Sequence, residues 1–161
     1  LAMTLEIELV GISSLAMLVP NAPNDGLVVP FFDARNQNVF AGIYEKHGME
    51  VTPVVADQHL SFESLLAKIN ELGRSVYFIN NHFEKFQPMV EDTLRVIAEH
   101  STTLNNLPNA YALGLLGLQK QALENYYTFV PAYLRVTEAE RNWKEKHPND
   151  ESKESYVRQI N

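Results

Sequence analysis

The chain has 161 residues, 45% of them hydrophobic and 20% charged, which suits one domain with a packed core and argues against wholesale disorder. Its 13 basic and 20 acidic residues give a formal net charge of −7, which disfavours a general grip on nucleic-acid phosphates. The absence of cysteine excludes thiolate metal sites, disulfides and cysteine nucleophiles from this sequence. No apolar stretch is long enough to cross a bilayer and no basic segment precedes the first apolar residues, so we expect a cytoplasmic protein.

The N-terminal segment predicts the end of a helix and then a connecting segment. "LAMTLEIEL" places Leu1 and Leu5 on one helical face, and we interpret it as the tail of a helix that begins before Leu1. A short strand is predicted over 8–12. Ser13 or Ser14 then caps a short helix that we expect to end at the following proline.

Three β-forming runs follow, over 27–33, 38–46 and 49–57, joined by the turn sequences "ARNQN" and "HG". Pro53 lies inside the third run and has no N–H to donate to a neighbouring strand. We therefore expect that strand at the edge of the sheet.

Helices and strands alternate after the meander. The predictions are a helix over 62–73 capped by Ser61, a strand over 75–80, a helix from about Pro88 to 100, a strand over 101–104, and a helix over 109–125 opened by Pro108. The last helix is apolar on nearly every face, so we expect it to be buried. The order β-β-β-α-β-α-β-α predicts an α/β fold with a mixed sheet.

The composition becomes densely charged from Thr137 onwards, and Thr137 and Glu140 have the spacing of a capping box. We therefore divide the chain into a helix remnant with a connecting segment (1–20), one α/β unit (21–136) and a charged helical tail (137–161).

A search for catalytic motifs finds none. The five histidines offer no pair at helical ligand spacing. "GISSL" lacks the second glycine of a nucleophile elbow, because Leu15 stands there, and helix capping explains the serines. "GLLGLQK" has the wrong spacing for a phosphate-binding loop. We expect no catalytic residue, no metal ligand and no cofactor.

Four stretches together resemble the TsaB family, also called YeaZ-type or glycoprotease-like: "LVGISSLAMLVP", "GLVVPFFDARNQNVFAGIY", "LPNAYALGLLGL" and "FVPAYLRVTEAE". The resemblance implies an actin-like, two-lobed fold, of which this chain is expected to be a C-terminal lobe fragment with a ribonuclease-H-like sheet. The signature positions, which we interpret as structural, are Ser14, Asp33, Arg35, Tyr44, Pro108, Tyr133 and Arg135.

The resemblance also implies a function. It predicts a non-catalytic scaffold partner of TsaD in threonylcarbamoylation of the tRNA adenosine next to the anticodon, with TsaE and a TsaC-type enzyme in the same pathway. A homodimer is a further expectation, and tRNA would be contacted only indirectly. The main TsaD-binding helices belong to the first lobe of the family, so Leu1 and Leu5 would be an interface remnant.

Two enzymatic alternatives stay open at this point, a metal-dependent glycoprotease-like peptidase and an ATP-using kinase of the actin-like superfold. In TsaD, the segment corresponding to "GISSLAML" carries two metal-binding histidines four residues apart. Ser14 and Leu18 occupy those positions here, and a leucine cannot bind a metal. A kinase would carry its phosphate-binding hairpin and catalytic aspartate in the first lobe.

Asp33 and Arg35 interrupt two apolar runs and have two interpretations. Asp33 could be a catalytic carboxylate with Arg35 as an anion clamp. We favour a structural role, because aspartate suits a turn by accepting hydrogen bonds from nearby backbone N–H groups.

Overall fold

The computed structural model describes residues 2–102, 106–123, 127 and 129–135. The predicted charged tail and Leu1 lie outside these described residues. The elements, in chain order, are α1 (Ala2–Leu5), a 3-10 helix (Ala16–Asn21), β1 (Gly26–Asp33), β2 (Asn38–His47), β3 (Glu50–Ser61), α2 (Phe62–Leu72), β4 (Val76–Ile79), a second 3-10 helix (Phe83–Lys85), α3 (Gln87–Thr93), β5 (Ala98–His100) and α4 (Ala110–Leu118). No helix within these ranges is long and apolar enough to cross a membrane.

The strands form one mixed sheet in the order β3-β2-β1-β4-β5, which confirms the predicted α/β class and the order of elements from β1 onwards. β1 pairs antiparallel with β2, and β2 pairs antiparallel with β3, so the first three strands are a meander. β4 and β5 extend the sheet in parallel from β1. β3 lies at the edge, as Pro53 predicted.

The sheet separates two apolar layers of unequal size. On one face α2 and α3 cover a cluster built around Phe31, whose ring centroid lies 5.2 Å from that of Phe62 and 5.1 Å from that of Phe86. The first 3-10 helix covers the other face, where the buried residues are Leu15, Leu18, Val19, Ala22, Val28, Tyr44 and Ile79. The strands alternate between the layers, so Val28 faces the smaller one and Val29 the larger.

Helix α2 begins and ends where its sequence predicts. The Ser61 hydroxyl accepts a hydrogen bond from the Ser64 N–H at 3.1 Å. Gly73 adopts a left-handed conformation with φ of 64° and donates its N–H to the carbonyls of Ile69 and Asn70. These local contacts satisfy backbone groups at both ends.

Two strand predictions are wrong in position. Residues 8–12 are not a strand, because none of the described strands lies alongside them to form a ladder. The fifth strand is Ala98–His100, and Ser101 and Thr102, the described part of the predicted strand 101–104, lie outside it. Helix α3 ends at Thr93 instead of reaching 100. Pairing of this stretch with Val76–Phe78 of β4 outweighs its helical pattern.

The expectation that the last helix is buried on nearly every face is also wrong. The helix is shorter than predicted and starts at Ala110, where the Asn109 side chain accepts a hydrogen bond from the Tyr111 N–H at 2.9 Å. Leu116 is 4% exposed, whereas Leu118 on the same helix is 85% exposed. One narrow face of α4 therefore packs, and the others meet solvent.

Candidate functional site

Three polar side chains meet on the face of the sheet that carries the smaller apolar layer. We call them the hydroxyl–carboxylate cluster: Ser13, Tyr44 and Asp57. Asp57 Oδ2 accepts a hydrogen bond from the Ser13 hydroxyl, and Asp57 Oδ1 accepts one from the Tyr44 hydroxyl. The Ser13 and Tyr44 oxygens are 3.5 Å apart. Each oxygen of the carboxylate thus has a hydroxyl donor from a different part of the chain.

An irregularity in the edge strand gives Asp57 its position. Ala41 pairs with Gln58 and Ile43 with Val55, so β3 has one more residue than β2 in this interval. Such a bulge turns a side chain out of the ordinary alternation. Gly42 completes the arrangement, because a Cβ there would overlap Asp57 Oδ1 and come within 2.7 Å of the Tyr44 ring.

Ser13 also lies at the turn that precedes the first 3-10 helix. Its Oγ accepts hydrogen bonds from the backbone N–H groups of Leu15 at 3.1 Å and Ala16 at 3.2 Å. The prediction that Ser13 or Ser14 caps this helix is wrong, because its cap residue is Leu15, which makes no side-chain cap hydrogen bond. Ser13 instead holds the turn before the helix, and Ser14 is exposed. Through Asp57, this turn is tied to the edge strand of the sheet.

The electrostatics of the cluster keep its hydroxyls as donors. Burial raises the pKa of the Tyr44 phenol well above its ordinary value, and the nearby Asp57 charge raises it further. Tyr44 is therefore protonated at neutral pH and donates to Asp57. The arrangement is suited to holding the segment before the 3-10 helix against the sheet.

A cavity of about 860 Å³ lies beside the cluster. Two segments form most of its wall, 11–15 and 129–135, and the other lining residues are Phe32, Phe40, Asp57, Lys120, Gln121 and Leu123. Gly11 permits the two segments to approach, since a Cβ there would lie 2.7 Å from the Phe129 ring. Segments distant in sequence therefore meet over the ends of β1 and β2.

The structure brings four of the seven signature residues to this region. Ser14, Tyr133 and Arg135 line the cavity, and Tyr44 belongs to the adjoining cluster. The other three, Asp33, Arg35 and Pro108, do not line it. Of the two residues of the predicted interface remnant, Leu1 lies outside the described residues, and the Leu5 side chain is 57% exposed.

Asp33 and Arg35 lie at the turn between β1 and β2. Asp33 Oδ1 accepts a hydrogen bond from the Arg35 N–H at 2.8 Å, and Oδ2 pairs with the Lys85 ammonium. The Lys85 hydrogen bond and then the Arg35 N–H lower the pKa of the Asp33 carboxyl. Arg35, Asn36 and Gln37 all have positive φ, at 67°, 49° and 59°. This geometry fits the turn interpretation, and the structural role of both residues stays a prediction.

Sequence reasoning missed Asp57, Gly42 and Lys120. Asp57 carried a usable signal, because aspartate is depleted from strands and here ends the strand sequence "VTPVVAD". "FAGIY" carried another, a glycine inside a strand, which is typical of close approach by another chain segment. Nothing in the local sequence placed Lys120 at a cavity.

In the part of the chain that the structure describes, no three His, Asp or Glu side chains come close enough together to hold a metal ion. Leu18, one of the two positions compared with metal-binding histidines, is 1% exposed and packed in the smaller apolar layer. The other, Ser14, faces the cavity.

Comparison with known proteins agrees with the resemblance seen in the motifs. The sequence profile of the family described as TsaD, tRNA N6-adenosine threonylcarbamoyltransferase, matches residues 1–143. The Bacillus subtilis (strain 168) tRNA threonylcarbamoyladenosine biosynthesis protein TsaB is 34% identical over 144 residues, which are 89% of this chain and 62% of that protein. The chain thus spans less than two thirds of the length of this curated relative.

Solved structures show the same fold. A Pseudomonas aeruginosa protein with similarity to the peptidase YeaZ superposes with a TM-score of 0.60 at 22% identity, covering 83% of this chain and 62% of that one. YeaZ from Pseudomonas aeruginosa superposes with a TM-score of 0.50 at 22% identity, covering 73% of this chain and 53% of that one. The profile match over residues 1–143 shows that the chain belongs to the TsaD family, described as tRNA N6-adenosine threonylcarbamoyltransferase, and it resembles TsaB over the 144 residues that match.

Proposed function

We propose that this chain acts as part of a TsaB-like, non-catalytic partner of TsaD in threonylcarbamoylation of the tRNA adenosine next to the anticodon. The observation that carries the proposal is the 34% identity to Bacillus subtilis TsaB, a tRNA threonylcarbamoyladenosine biosynthesis protein, over 89% of this chain. The match to the TsaD family over 1–143 supports it.

The geometry of the site supports a scaffold role for these residues. Asp57 accepts from two hydroxyls at once, which serves to hold Ser13 and the segment around it in place. Leu18 lies inside an apolar layer, where a histidine would have to be buried and desolvated before it could bind a metal. These features favour a structural role over metal binding for this segment.

The metal-dependent peptidase is the weaker alternative for the same reason. One solved relative is described by its similarity to a peptidase, and that description applies to the Pseudomonas aeruginosa protein. Here, Ser14 and Leu18 would have to supply the metal ligands, and Leu18 has no donor atom. No observation favours the ATP-using kinase.

TsaD is the main partner in this proposal. TsaE and a TsaC-type enzyme act in the same pathway, tRNA is contacted indirectly, and the location is cytoplasmic. Pairing of the protein with a second copy of itself is also part of the proposal.

A chimera tests the proposal. The part of Bacillus subtilis TsaB that lies outside the match is joined to this chain, which replaces the matched part. We expect the chimera to form a one-to-one complex with TsaD in sedimentation velocity and to restore threonylcarbamoylation of tRNA with TsaC-type enzyme, TsaE and TsaD present.

Two further samples make the result decisive. Bacillus subtilis TsaB is the positive control, and this chain alone is expected to give no stable complex, because the resemblance assigns the main TsaD-binding helices to the other lobe. A folded chimera that neither binds TsaD nor supports modification would contradict the proposal. A stable complex between TsaD and this chain alone would show that the TsaD-binding surface lies within these residues.

A further inference from the structure

We propose that the cavity beside the hydroxyl–carboxylate cluster is a binding site for an organic anion with a flat apolar body, such as an aromatic carboxylate. Its volume of about 860 Å³ lies within the range of small-molecule sites in proteins, roughly 300–1,000 Å³. The inference does not depend on the proposed partnership with TsaD, since it rests on the lining residues alone.

Aromatic side chains supply the apolar wall. Phe32 and Phe40 come from the ends of neighbouring strands, and Phe129 from the 129–135 segment lines the same open cavity. Phe129 is 47% exposed and Tyr133, which also lines the cavity, is 57% exposed. Exposed rings that gather around one concave space mark a site for an apolar partner rather than a packed core.

The charges around the cavity favour an anion. Lys120 and Arg135 are the cations among its lining residues, and Asp57 is the acid. Each oxygen of Asp57 already accepts one hydroxyl hydrogen bond, which partly offsets the negative charge that this carboxylate presents to the cavity. Two cations beside apolar rings in a chain of net charge −7 are a local excess of positive charge.

Arg135 lies close enough to His59 for its charge to act on that imidazole. Burial is the first cause and the Arg135 charge the second cause of a lowered pKa for the His59 imidazole. The His59 and Phe40 ring centroids are 5.1 Å apart. The Arg135 charge therefore acts close to Phe40, which lines the same cavity. There it can pair with the anionic group of a ligand whose ring lies against Phe40.

One side of the cavity, the 11–15 segment, is preformed. Ser13 is held by Asp57 and by two backbone N–H groups, which fixes the 11–15 segment before any ligand arrives. A preformed wall reduces the entropy lost on binding.

Two matched probes test the proposal on the whole chain by isothermal titration calorimetry, 1-naphthoate and the neutral 1-naphthalenemethanol. We expect naphthoate to bind about tenfold more tightly, because a charge-assisted hydrogen bond contributes roughly that much. Arg135→Gln and Lys120→Gln should each weaken naphthoate several-fold and leave the neutral probe unchanged. Arg95→Gln, an exposed cation that does not line the cavity, should change neither probe.

Ser14→Phe places a ring in the cavity and should weaken both probes. Thermal unfolding of each variant checks its fold, and the two glutamine variants at separate positions keep the test decisive if one of them does not fold. Equal affinity for the two probes, no binding of either, or naphthoate binding that survives in the folded glutamine variants would overturn the proposal.

Discussion

Gly42 is the residue on which the hydroxyl–carboxylate cluster depends most. It lies in β2 between two residues that pair with β3, and the Asp57 carboxylate and the Tyr44 ring occupy the space that a side chain would need. The glycine is required here for close approach rather than for an unusual backbone angle.

Gly42→Ala should therefore destabilise the protein by about 1–3 kcal/mol, the usual cost of forcing a methyl group into a filled space. Either Asp57 must move away from its hydroxyl donors or the edge strand must shift. Urea unfolding, with the slope compared between variants, measures the change.

Gly114→Ala is the matched control, because a Cβ at Gly114 meets nothing within 4 Å and the residue lies inside α4. Alanine is the better helix former by up to about 1 kcal/mol, so this variant should be neutral or more stable. Similar losses in both glycine variants would show that crowding at Asp57 is not the cause.

Asp33 provides a pH-dependent prediction. Its pKa is lowered in the folded state, so its contribution to stability is present above the unfolded pKa and is lost as the pH falls through the folded pKa. Asp33→Asn keeps an acceptor for the Arg35 N–H and removes the charge that pairs with Lys85. The difference in melting temperature between the two proteins should thus be smaller at about pH 3 than at about pH 7.

Asp33→Leu removes the turn hydrogen bond as well and should cost about 1 kcal/mol at neutral pH. If all three proteins melt together at both pH values, the bond to the Arg35 N–H does not stabilise the turn, and a direct functional contact becomes the better explanation of Asp33.

At the scale of elements, α4 is the clearest case of a helix whose surroundings differ from its sequence pattern. Leu116→Ala should cost about 2–4 kcal/mol, because this side chain is buried against its neighbours. Leu118→Glu should change stability by less than about 0.5 kcal/mol, because that side chain is exposed. Urea unfolding of the two variants measures both effects.

The pair is matched, since both leucines lie on one helix two residues apart. A large loss in Leu118→Glu would mean that α4 is covered on more faces than the structure shows. Sedimentation of the same variant reports whether Leu118 also takes part in contacts between copies of the chain.

β3 shows how one element serves two purposes. It ends the sheet, with Pro53 opposite Tyr44, and its bulge directs Asp57 towards Ser13. Prolines and bulges also discourage pairing between exposed sheet edges.

At the scale of the whole molecule, the sheet separates a large apolar layer from a smaller one, and the candidate site adjoins the smaller layer. Segments from both ends of the chain form that site, residues 11–15 and 129–135. Such a site becomes visible only when the chain is folded.

The sequence by itself determined the elements whose signals are local. Ser61 and Gly73 delimit α2 because a cap hydroxyl and a left-handed glycine act within a few residues of themselves. Pro53 indicated an edge strand because a missing N–H has the same consequence in any fold. The family motifs identified the kind of protein.

Only the tertiary structure decided the features that depend on partners far away in the chain. The position of β5 is set by its pairing with β4. The burial of each face of α4 depends on which neighbouring residues cover it. Asp57 meets Ser13 across 44 positions, and no local pattern encodes that distance. Hydrogen bonding and burial are properties of the surroundings of a residue, and only the folded chain supplies those surroundings.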